Sequence, residues 1–333
     1  MTALGRVANR LLDLAFVPGS GAYWRRRLRG TVLCLLYHRV DTPGRFPFLE
    51  SFGPPVTEPA ELERDLVFWK NQRATFTNFR QLREGWWPEP DQIGILVCFD
   101  DGFHDNYTQG LEIPHRLGIP ATIFQTASML DRTALIWEHQ LYFHLRDPGA
   151  EARFRRVLGE QLPEPEADRL GSTRALLEWA RFVAPREPLR ETLRRASQKE
   201  DSSGREIELA AELYPSADDL RAAETKGVEV ASHGLRHEPR HLLTDAEFEA
   251  DLAQAKATLA EVLREPPAAY SFPFGSRLEG DERITRRHYA QAAIVQSRPI
   301  RSSDDPQALP RCSWPGTARN ALRRRRWLLT GGI

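Results

Sequence analysis

Two pairs of ionisable residues have types and a spacing suited to metal-assisted hydrolysis. The first pair, Asp100 and Asp101, stands in VCFDDGFHDNY (97–107), directly behind a short apolar run. Adjacent carboxylates raise each other's pKa and lose hydration on burial unless a cation lies nearby. Asp-Gly is also common in turns, so a turn explains the same letters without chemistry. The pair therefore predicts a site only if another segment supplies positive charge.

The second pair, His233 and His237, lies in ASHGLRHEPRHLL (231–243), behind the run VEVA. If the chain turns helically there, both imidazoles project to one side, and one carboxylate completes a facial metal site. Surface helices carry such pairs by chance, so either pair alone is explained at least as well by structure. Together they predict a divalent cation, with zinc the default for two histidines and an aspartate and with cobalt or nickel as substitutes.

Short apolar runs rich in β-branched residues predict the strands that position these pairs. The runs cover 31–38, 93–100, 121–126, 228–233, 268–275 and 291–297. They resemble strands buried on both faces. Helical patterns separate them, and the alternation of strand and helix predicts a parallel sheet or a β/α barrel. The candidate residues fall at the C-terminal ends of the strands, where such folds place their sites.

Helix start signals support this alternation. Thr57 precedes a helical pattern, Thr244 with Glu247 forms a capping box, and Ser216 with Asp219 opens another helix. Residues 131 to about 215 are charged and helical in period, and we interpret them as a helical insertion between two strands. The predicted organisation is a basic amphipathic arm (1–30), one domain (31–320) that contains the insertion, and a basic tail (321–333).

Composition bounds the function further. Lys+Arg and Asp+Glu both number 46, so the net charge is zero and nothing favours nucleic acid as a partner. The three cysteines have no CxxC spacing, which indicates reduced thiols. No run approaches the roughly 18 apolar residues of a membrane span, and the N-terminus lacks a signal-peptide core. We expect a cytoplasmic protein whose basic termini are either solvated or in peripheral contact with an anionic membrane.

Taken in order, the motifs resemble a known family. CFDDGFHDNY, then SHGLRH, then SFPFG resemble the first three signature motifs of the polysaccharide deacetylases (the NodB-homology group, carbohydrate esterase family 4). LLYHRV near the start, LGIPATIF after the first motif and LPRCSW near the end extend the resemblance over about residues 31 to 315.

The resemblance implies a fold and a set of roles. The fold is a distorted (β/α) barrel with fewer than eight strands. Asp100 matches the catalytic base, and Asp101 matches the aspartate that binds the metal together with His233 and His237. Tyr107 closes the first motif, as a packing or hydrogen-bonding residue more than a reactant. The segment 273–275 lines the sugar groove. There Pro273 precedes Phe274, whose backbone N–H helps to hold the oxyanion.

The sequence departs from the family's pattern in the general acid. The usual late histidine is missing from DDPQALPRCSW (304–314). His38, at the end of the first strand, is the best replacement, and the alternative is a buried histidine that caps a strand. His104 and His241 are weaker candidates.

The third motif also lacks its usual arginine. Arg311 of LPR either orients Asp100, holds a sugar oxygen or phosphate, or forms a structural salt bridge. Trp137, beside Glu138, either stacks on a sugar ring or anchors the insertion, and we favour anchoring. Trp86 and Trp87 present the same alternatives, with less reason to lie near the site.

The leading hypothesis is a metal-dependent N-deacetylase that acts on an N-acetylated glycan or a lipid-linked sugar. One alternative keeps the metal hydrolase and changes the substrate to a non-sugar amide. Another is a catalytically inactive glycan-binding protein.

Overall fold

Parallel strands form the centre of the protein, whose computed structural model describes residues 25–161, 170–198 and 203–313. Within those residues the strands are β1 (Thr31–Tyr37), β2 (Thr75–Thr77), β3 (Ile93–Phe99), β4 (Ala121–Gln125), β5 (Glu229–Ser232), β6 (Ala269–Ser271), β7 (Gln291–Val295) and β8 (Leu309–Ser313). β1 pairs with both β8 and β3, so seven strands close into a barrel. The predicted β/α barrel is confirmed.

The six predicted strands are all present, and two further strands were not predicted. β2 has three residues and pairs only with β3, beside Gly94–Leu96, whereas β4 pairs with Val97–Phe99 on the same edge. β8 contains Pro310 and Arg311, which obscure a buried apolar run. Both were missed because neither is long or apolar enough to give a pattern.

Helices surround the barrel. They are α1 (Pro47–Phe52), α2 (Pro59–Asn71), α3 (Phe79–Arg83), α4 (Leu111–Arg116), α5 (Trp137–Arg146), α6 (Pro148–Gly159), α7 (Thr173–Phe182), α8 (Arg186–Gln198), α9 (Ser203–Leu213), α10 (Ala217–Thr225), α11 (Asp245–Ala260) and α12 (Asp281–His288). The capping box predicted for α11 is confirmed, and so is the helix start predicted at Ser216, where α10 also has a capping box. α2 begins after Glu58, because the backbone of Thr57 bonds with Arg39 and Asp41 instead.

Alternation along each strand separates two apolar layers. In β3, Ile95 and Val97 pack under the surrounding helices, whereas Leu96 and Cys98 face the barrel interior. The apolar side chains that the strands direct into the interior are small or branched, apart from the ring of Phe124: Val32, Cys34, Leu36, Leu96, Cys98, Phe124, Ala231, Ala269, Ala293 and Leu309. All three cysteines are buried, and none forms a disulfide.

Helices α5 to α9 lie between β4 and β5, where the sequence predicted a helical insertion. Much of this insertion packs around a core of its own: Trp137, Leu141, Leu145, Phe154, Leu158, Leu170, Leu176, Trp179, Ala180, Ala184, Leu189, Leu193 and Ala196. The described residues between β4 and β5 contain no strand.

The predicted basic tail and most of the predicted arm, residues 1–24, lie outside the described residues, so the proposed domain bounds remain a prediction. In the part of the chain that the structure describes, no helix has both the length and the apolar character needed to cross a bilayer.

Candidate metal centre

The interior face of the barrel carries the candidate side chains to its carboxyl end. Asp100 follows Cys98 at the two-residue spacing of a strand, and His233 follows Ala231 in the same way. His38 continues the interior face of β1. Because parallel strands end at the same rim, these three residues meet there although they are far apart in sequence.

The turn after β3 places Asp101. Its backbone has φ 71° and that of Gly102 has φ 79°, both in the left-handed region. This φ at position 102 favours glycine, and a Cβ there would also crowd the buried side chain of Gln125. The Asp-Asp-Gly sequence therefore specifies one sharp turn that sends the second carboxylate toward the histidines.

Asp101, His233 and His237 form a compact ligand set. Oδ1 of Asp101 lies 3.3 Å from Nε2 of His233 and 3.2 Å from Nε2 of His237. All three residues are buried, and their ligand atoms lie within 4.8 Å of one another. The predicted juxtaposition of carboxylate and imidazoles is present.

In both histidines Nδ1 contacts another residue, and Nε2 faces Asp101. Nδ1 of His233 donates to the carbonyl oxygen of Ser271 at 2.9 Å. Nδ1 of His237 lies 3.0 Å from Oε2 of Glu138. The acceptor at Nδ1 of His233 fixes the tautomer in which Nε2 carries the lone pair, as in metal-binding histidines, and the carboxylate beside Nδ1 of His237 favours the same tautomer. The residues present therefore fit a divalent cation.

The electrostatics of the site favour ionised carboxylates. Burial raises the pKa of Asp101, but the contacts with His233 and His237 outweigh it and hold that pKa well below its usual value. Burial lowers the pKa of His237, yet Asp101 and Glu138 together raise it to about 10. A bound cation would take the place of that proton.

Asp100 forms an ion pair with Arg311, a residue outside its own motif. Arg311 of β8 donates from Nη1 to Oδ1 of Asp100 at 2.5 Å and from Nη2 to Oδ2 at 2.9 Å. Nη2 also donates to Ser271 Oγ at 2.6 Å. Burial raises the pKa of Asp100, but Arg311 and His233 more than offset it, so the carboxylate is ionised at neutral pH. This contact fits two of the alternatives for Arg311, in which it orients Asp100 or forms a structural salt bridge.

A cavity of about 350 Å³ exposes this rim to solvent, with Asp100, Asp101, His233 and His237 in its lining. His38 and Phe274, both half-buried, line it as well. The rest of the wall comes largely from α1, the segment after it, and the insertion: Leu49, Phe52, Gly53, Pro54, Glu138, His139, Tyr142 and Arg181. A larger cavity of about 530 Å³ beside α6 and α9 contains none of the predicted site residues.

Several predicted substrate contacts lie away from this cavity. Tyr107 packs in the layer between barrel and helices and donates to Gln125 at 2.8 Å, which fits packing rather than substrate binding. Arg311 is fully buried and cannot reach a sugar, which corrects its assignment as a substrate contact. Trp137 is in the core of the insertion, as the anchoring interpretation predicts. Pro273 is buried beneath the turn that presents Phe274.

The weaker candidates are also accounted for. His104 lies 3.9 Å from Asp219, outside the cavity lining. Nδ1 of His241 lies 2.7 Å from Ser276 Oγ, and His241 too is absent from the lining. Trp86 and Trp87 pack at the other end of the barrel, where the indole of Trp87 donates to the carbonyl of Gly30.

Sequence reasoning gave no role to two residues of the insertion that line the site. Glu138 contacts His237, and Nη2 of Arg181 lies 3.2 Å from Oε1 of Glu138. Glu138 could have been suspected from the sequence, because it follows β4 closely and stands next to Trp137. Arg181 is one of many arginines in the insertion, and no pattern distinguishes it.

Comparison with known proteins agrees with the motifs. Residues 182–293 match the family "Polysaccharide deacetylase", a range that holds the second and third motifs but begins after the first. No curated protein sequence matches the chain. The predicted resemblance to this family is confirmed.

Solved deacetylases share the fold at low sequence identity. IcaB from Ammonifex degensii has a TM-score of 0.56 and 15% identity, with 90% of this chain and 97% of that chain covered. The deacetylase PplD of Streptococcus pyogenes, solved with acetate, has a TM-score of 0.55 and 12% identity, covering 85% and 92%. A de-N-acetylase from Aggregatibacter actinomycetemcomitans has a TM-score of 0.50 and 14% identity, covering 84% and 94%.

Proposed function

We propose that this chain, a member of the polysaccharide deacetylase family, is a metal-dependent hydrolase that removes the acetyl group of an N-acetylated sugar in a glycan or glycan precursor. One observation carries the proposal. An Asp-His-His ligand set and a second, ionised aspartate line the same cavity at the carboxyl end of the barrel. A chain selected only for a stable fold gains nothing from four ionisable side chains gathered at one rim.

Asp101, His233 and His237 would hold the cation, since their ligand atoms converge and the outer contacts of both histidines leave Nε2 available. A divalent cation bound there lowers the pKa of water and polarises an acyl oxygen. Zinc suits two imidazoles and one carboxylate, and cobalt or nickel fits the same ligands.

Asp100 would serve as the general base. It lies beside the ligand set, with Oδ2 at 4.0 Å from Nε2 of His233. Arg311 fixes the plane of the carboxylate and keeps it ionised, so it can accept a proton from the attacking water. The backbone N–H of Phe274 would donate to the tetrahedral oxyanion, an interaction worth about 3 to 4 kcal/mol for one such donor.

His38 would serve as the general acid. It lines the cavity on the interior face of β1, and its charge would act on both Asp100 and Asp101. Protonated His38 would give its proton to the leaving amine, a step for which the family's late histidine is missing here. The half-buried position leaves the imidazole in contact with solvent, from which it can be reprotonated.

The test measures metal content and acetate release on the wild type and on His38→Ala, with an N-acetylglucosamine oligomer as substrate. We expect bound metal in both proteins and acetate release that falls about 10²- to 10⁴-fold in the variant. His104→Ala is the matched control, since that histidine lies outside the cavity, and it should retain activity.

Each failure has a distinct meaning. A wild type that binds no metal would refute the centre itself. Metal binding with no acetate release from any N-acetylated sugar would refute the sugar substrate. Equal activities of His38→Ala and wild type would leave the deacetylase in place and remove His38 as the acid.

A second candidate is hydrolysis of a small non-sugar amide on the same centre. The cavity wall carries charged side chains, including Arg39, Arg181 and Glu138, which suit a small charged substrate. A panel of small charged N-acyl amides, assayed beside the sugar oligomer, separates the two candidates by the ratio of kcat/KM.

We also propose that the protein is cytoplasmic, that it contacts the membrane surface, and that its substrate is a lipid-linked sugar. Three buried thiols without a disulfide support a reducing compartment. The arginine clusters near both ends of the sequence support contact with anionic lipid. Co-sedimentation with phosphatidylglycerol vesicles tests it. Absence of binding, together with an unchanged location after removal of residues 1–29, would end the proposal.

A further inference from the structure

We infer that the helical insertion completes the metal centre and that Glu138, at the start of α5, is the positioning residue of His237. This inference rests on the proposed function, because it assigns a role to the ligand set Asp101, His233 and His237. It concerns a side chain that belongs to none of the family's motifs named above. The insertion would then be part of the catalytic centre rather than a wall around it.

His237 needs external support because its backbone is strained. Its φ of 56° lies in the left-handed region, which is unfavourable for a residue other than glycine. The insertion supplies the support at two atoms. The indole N–H of Trp137 donates to the carbonyl oxygen of His237 at 3.1 Å, and Glu138 lies 3.0 Å from its Nδ1. Adjacent residues of α5 thus hold the backbone and the ring of one ligand.

Glu138 is itself fixed in place. It is 5% exposed, so its orientation depends on protein contacts rather than on water. The hydroxyl of Tyr142, one turn further along α5, donates to Oε1, and Arg181 of α7 approaches the same oxygen. Arg181 also donates to the carbonyl of Phe52 in α1 at 2.9 Å. Oε2 is left to face His237.

The two histidine ligands differ in what holds them. His233 donates to the backbone carbonyl of Ser271, which belongs to a barrel strand and cannot be removed by substitution. His237 depends on a side chain of the insertion. A carboxylate at this position orients the imidazole and increases its basicity, and loss of such a partner typically weakens metal binding about 10- to 100-fold.

Competition titration of metal-free protein with Zn²⁺ and a chromophoric chelator measures this effect without any assay of activity. We expect Glu138→Gln to bind Zn²⁺ about 10- to 100-fold more weakly than the wild type. Glu206→Gln is the matched control. Glu206 is also a buried glutamate of the insertion, but it contacts Ser197 and Gln140 instead of the site, so this variant should bind as the wild type does.

Tyr142→Phe is a second variant that tests the same contact if Glu138→Gln does not fold. It removes only the hydroxyl that contacts Glu138, and we expect a several-fold loss of affinity with a cooperative thermal transition retained. The visible spectrum of Co²⁺-loaded Glu138→Gln should differ from that of wild type, because the ring of one ligand is no longer oriented. A wild-type spectrum and wild-type Zn²⁺ affinity in Glu138→Gln would overturn the inference. A wild type that binds no Zn²⁺ would instead overturn the proposed centre.

Discussion

The barrel and the insertion are packed differently and contribute differently to the site. In the barrel, small side chains such as Ala231, Ala269 and Ala293 allow parallel strands to converge, and the strand ends bring the ionisable residues together. The insertion packs around larger side chains, including Trp137, Phe154 and Trp179. It reaches the site through the start of α5 and through Arg181 of α7.

The difference shows how a common fold can acquire a particular site. Barrel strands fix where Asp100 and His233 lie, because the rim is a consequence of parallel pairing. Polar contacts between helices decide how His237 is held, through Glu138 and Arg181. In the proposed function, the barrel therefore contributes Asp100 and His233, and the insertion orients His237 and forms much of the wall of the cavity.

The largest effect is expected inside the barrel, at Asp100, the proposed base. Asp100→Asn should reduce acetate release about 10²- to 10⁴-fold, because the amide cannot accept the proton. Metal content should be unchanged, since Asp101, His233 and His237 remain. Steady-state kinetics with metal analysis checks both statements, and Asp218→Asn, at an exposed position of α10, is the control. Loss of metal in Asp100→Asn would mean that Asp100 is a ligand, and the division of roles between the two aspartates would fail.

Removal of Arg311, the partner of the proposed base, should reduce stability as well as activity. Arg311→Met leaves Asp100 buried without its guanidinium, a change that typically costs about 3 to 5 kcal/mol. Urea denaturation of the wild type and variant measures the free energy of unfolding. A change below about 1 kcal/mol would show that the pair does not stabilise the barrel.

The insertion should be the more sensitive region to acid. Burial lowers the pKa of both His139 and His144 to about 4, so each is neutral in the folded protein and protonated more easily when unfolded. The contribution of these two histidines to the free energy of unfolding is complete above about pH 6.5. It is lost as the pH falls toward 4, at about 1.4 kcal/mol per pH unit for each histidine.

His144→Gln tests the acid sensitivity, because Gln does not titrate. The free energy of unfolding should fall less steeply between pH 6.5 and 4.5 in this variant than in the wild type, where His139 and His144 both contribute. Equal slopes would remove His144 as a cause. Hydrogen exchange of α5 and of β3 at pH 5 then assigns the acid-labile region to the insertion or to the barrel.

The smallest effect is expected on the outer face of the insertion. Arg174 and Glu178 form an ion pair at 3.0 Å whose side chains are 88% and 58% exposed. Such a pair within a helix contributes about 0.3 to 0.5 kcal/mol, so Arg174→Met should change stability by no more than that. Comparison with Arg311→Met in the same urea series sets the scale. A loss as large as that of the buried pair would contradict the contrast between the regions.

Sequence patterns predicted most of the barrel and the residues at its rim. Six strands, the capping box at Thr244 and the start of a helix at Ser216 were predicted because each depends on short-range order. The motifs also named Asp100, Asp101, His233 and His237, which the structure brings to one cavity. The predicted apolar runs extend beyond the short strands β5 and β6, which have four and three residues. β2, also of three residues, lies in no such run and gives no recognisable period. Thr57 was misassigned as the start of α2 because its backbone pairing with Arg39 and Asp41 is a tertiary contact.

What the sequence alone determined is local: the strands with their two faces, the left-handed turn at Asp101-Gly102, and the order of the motifs. Only the tertiary structure decided that Arg311 binds Asp100, that Tyr107 packs away from the cavity, and that Glu138 supports His237. These contacts join residues that are 211, 18 and 99 positions apart. The physical reason is that a charged or hydroxyl side chain has many acceptable partners, and only packing leaves one of them within reach.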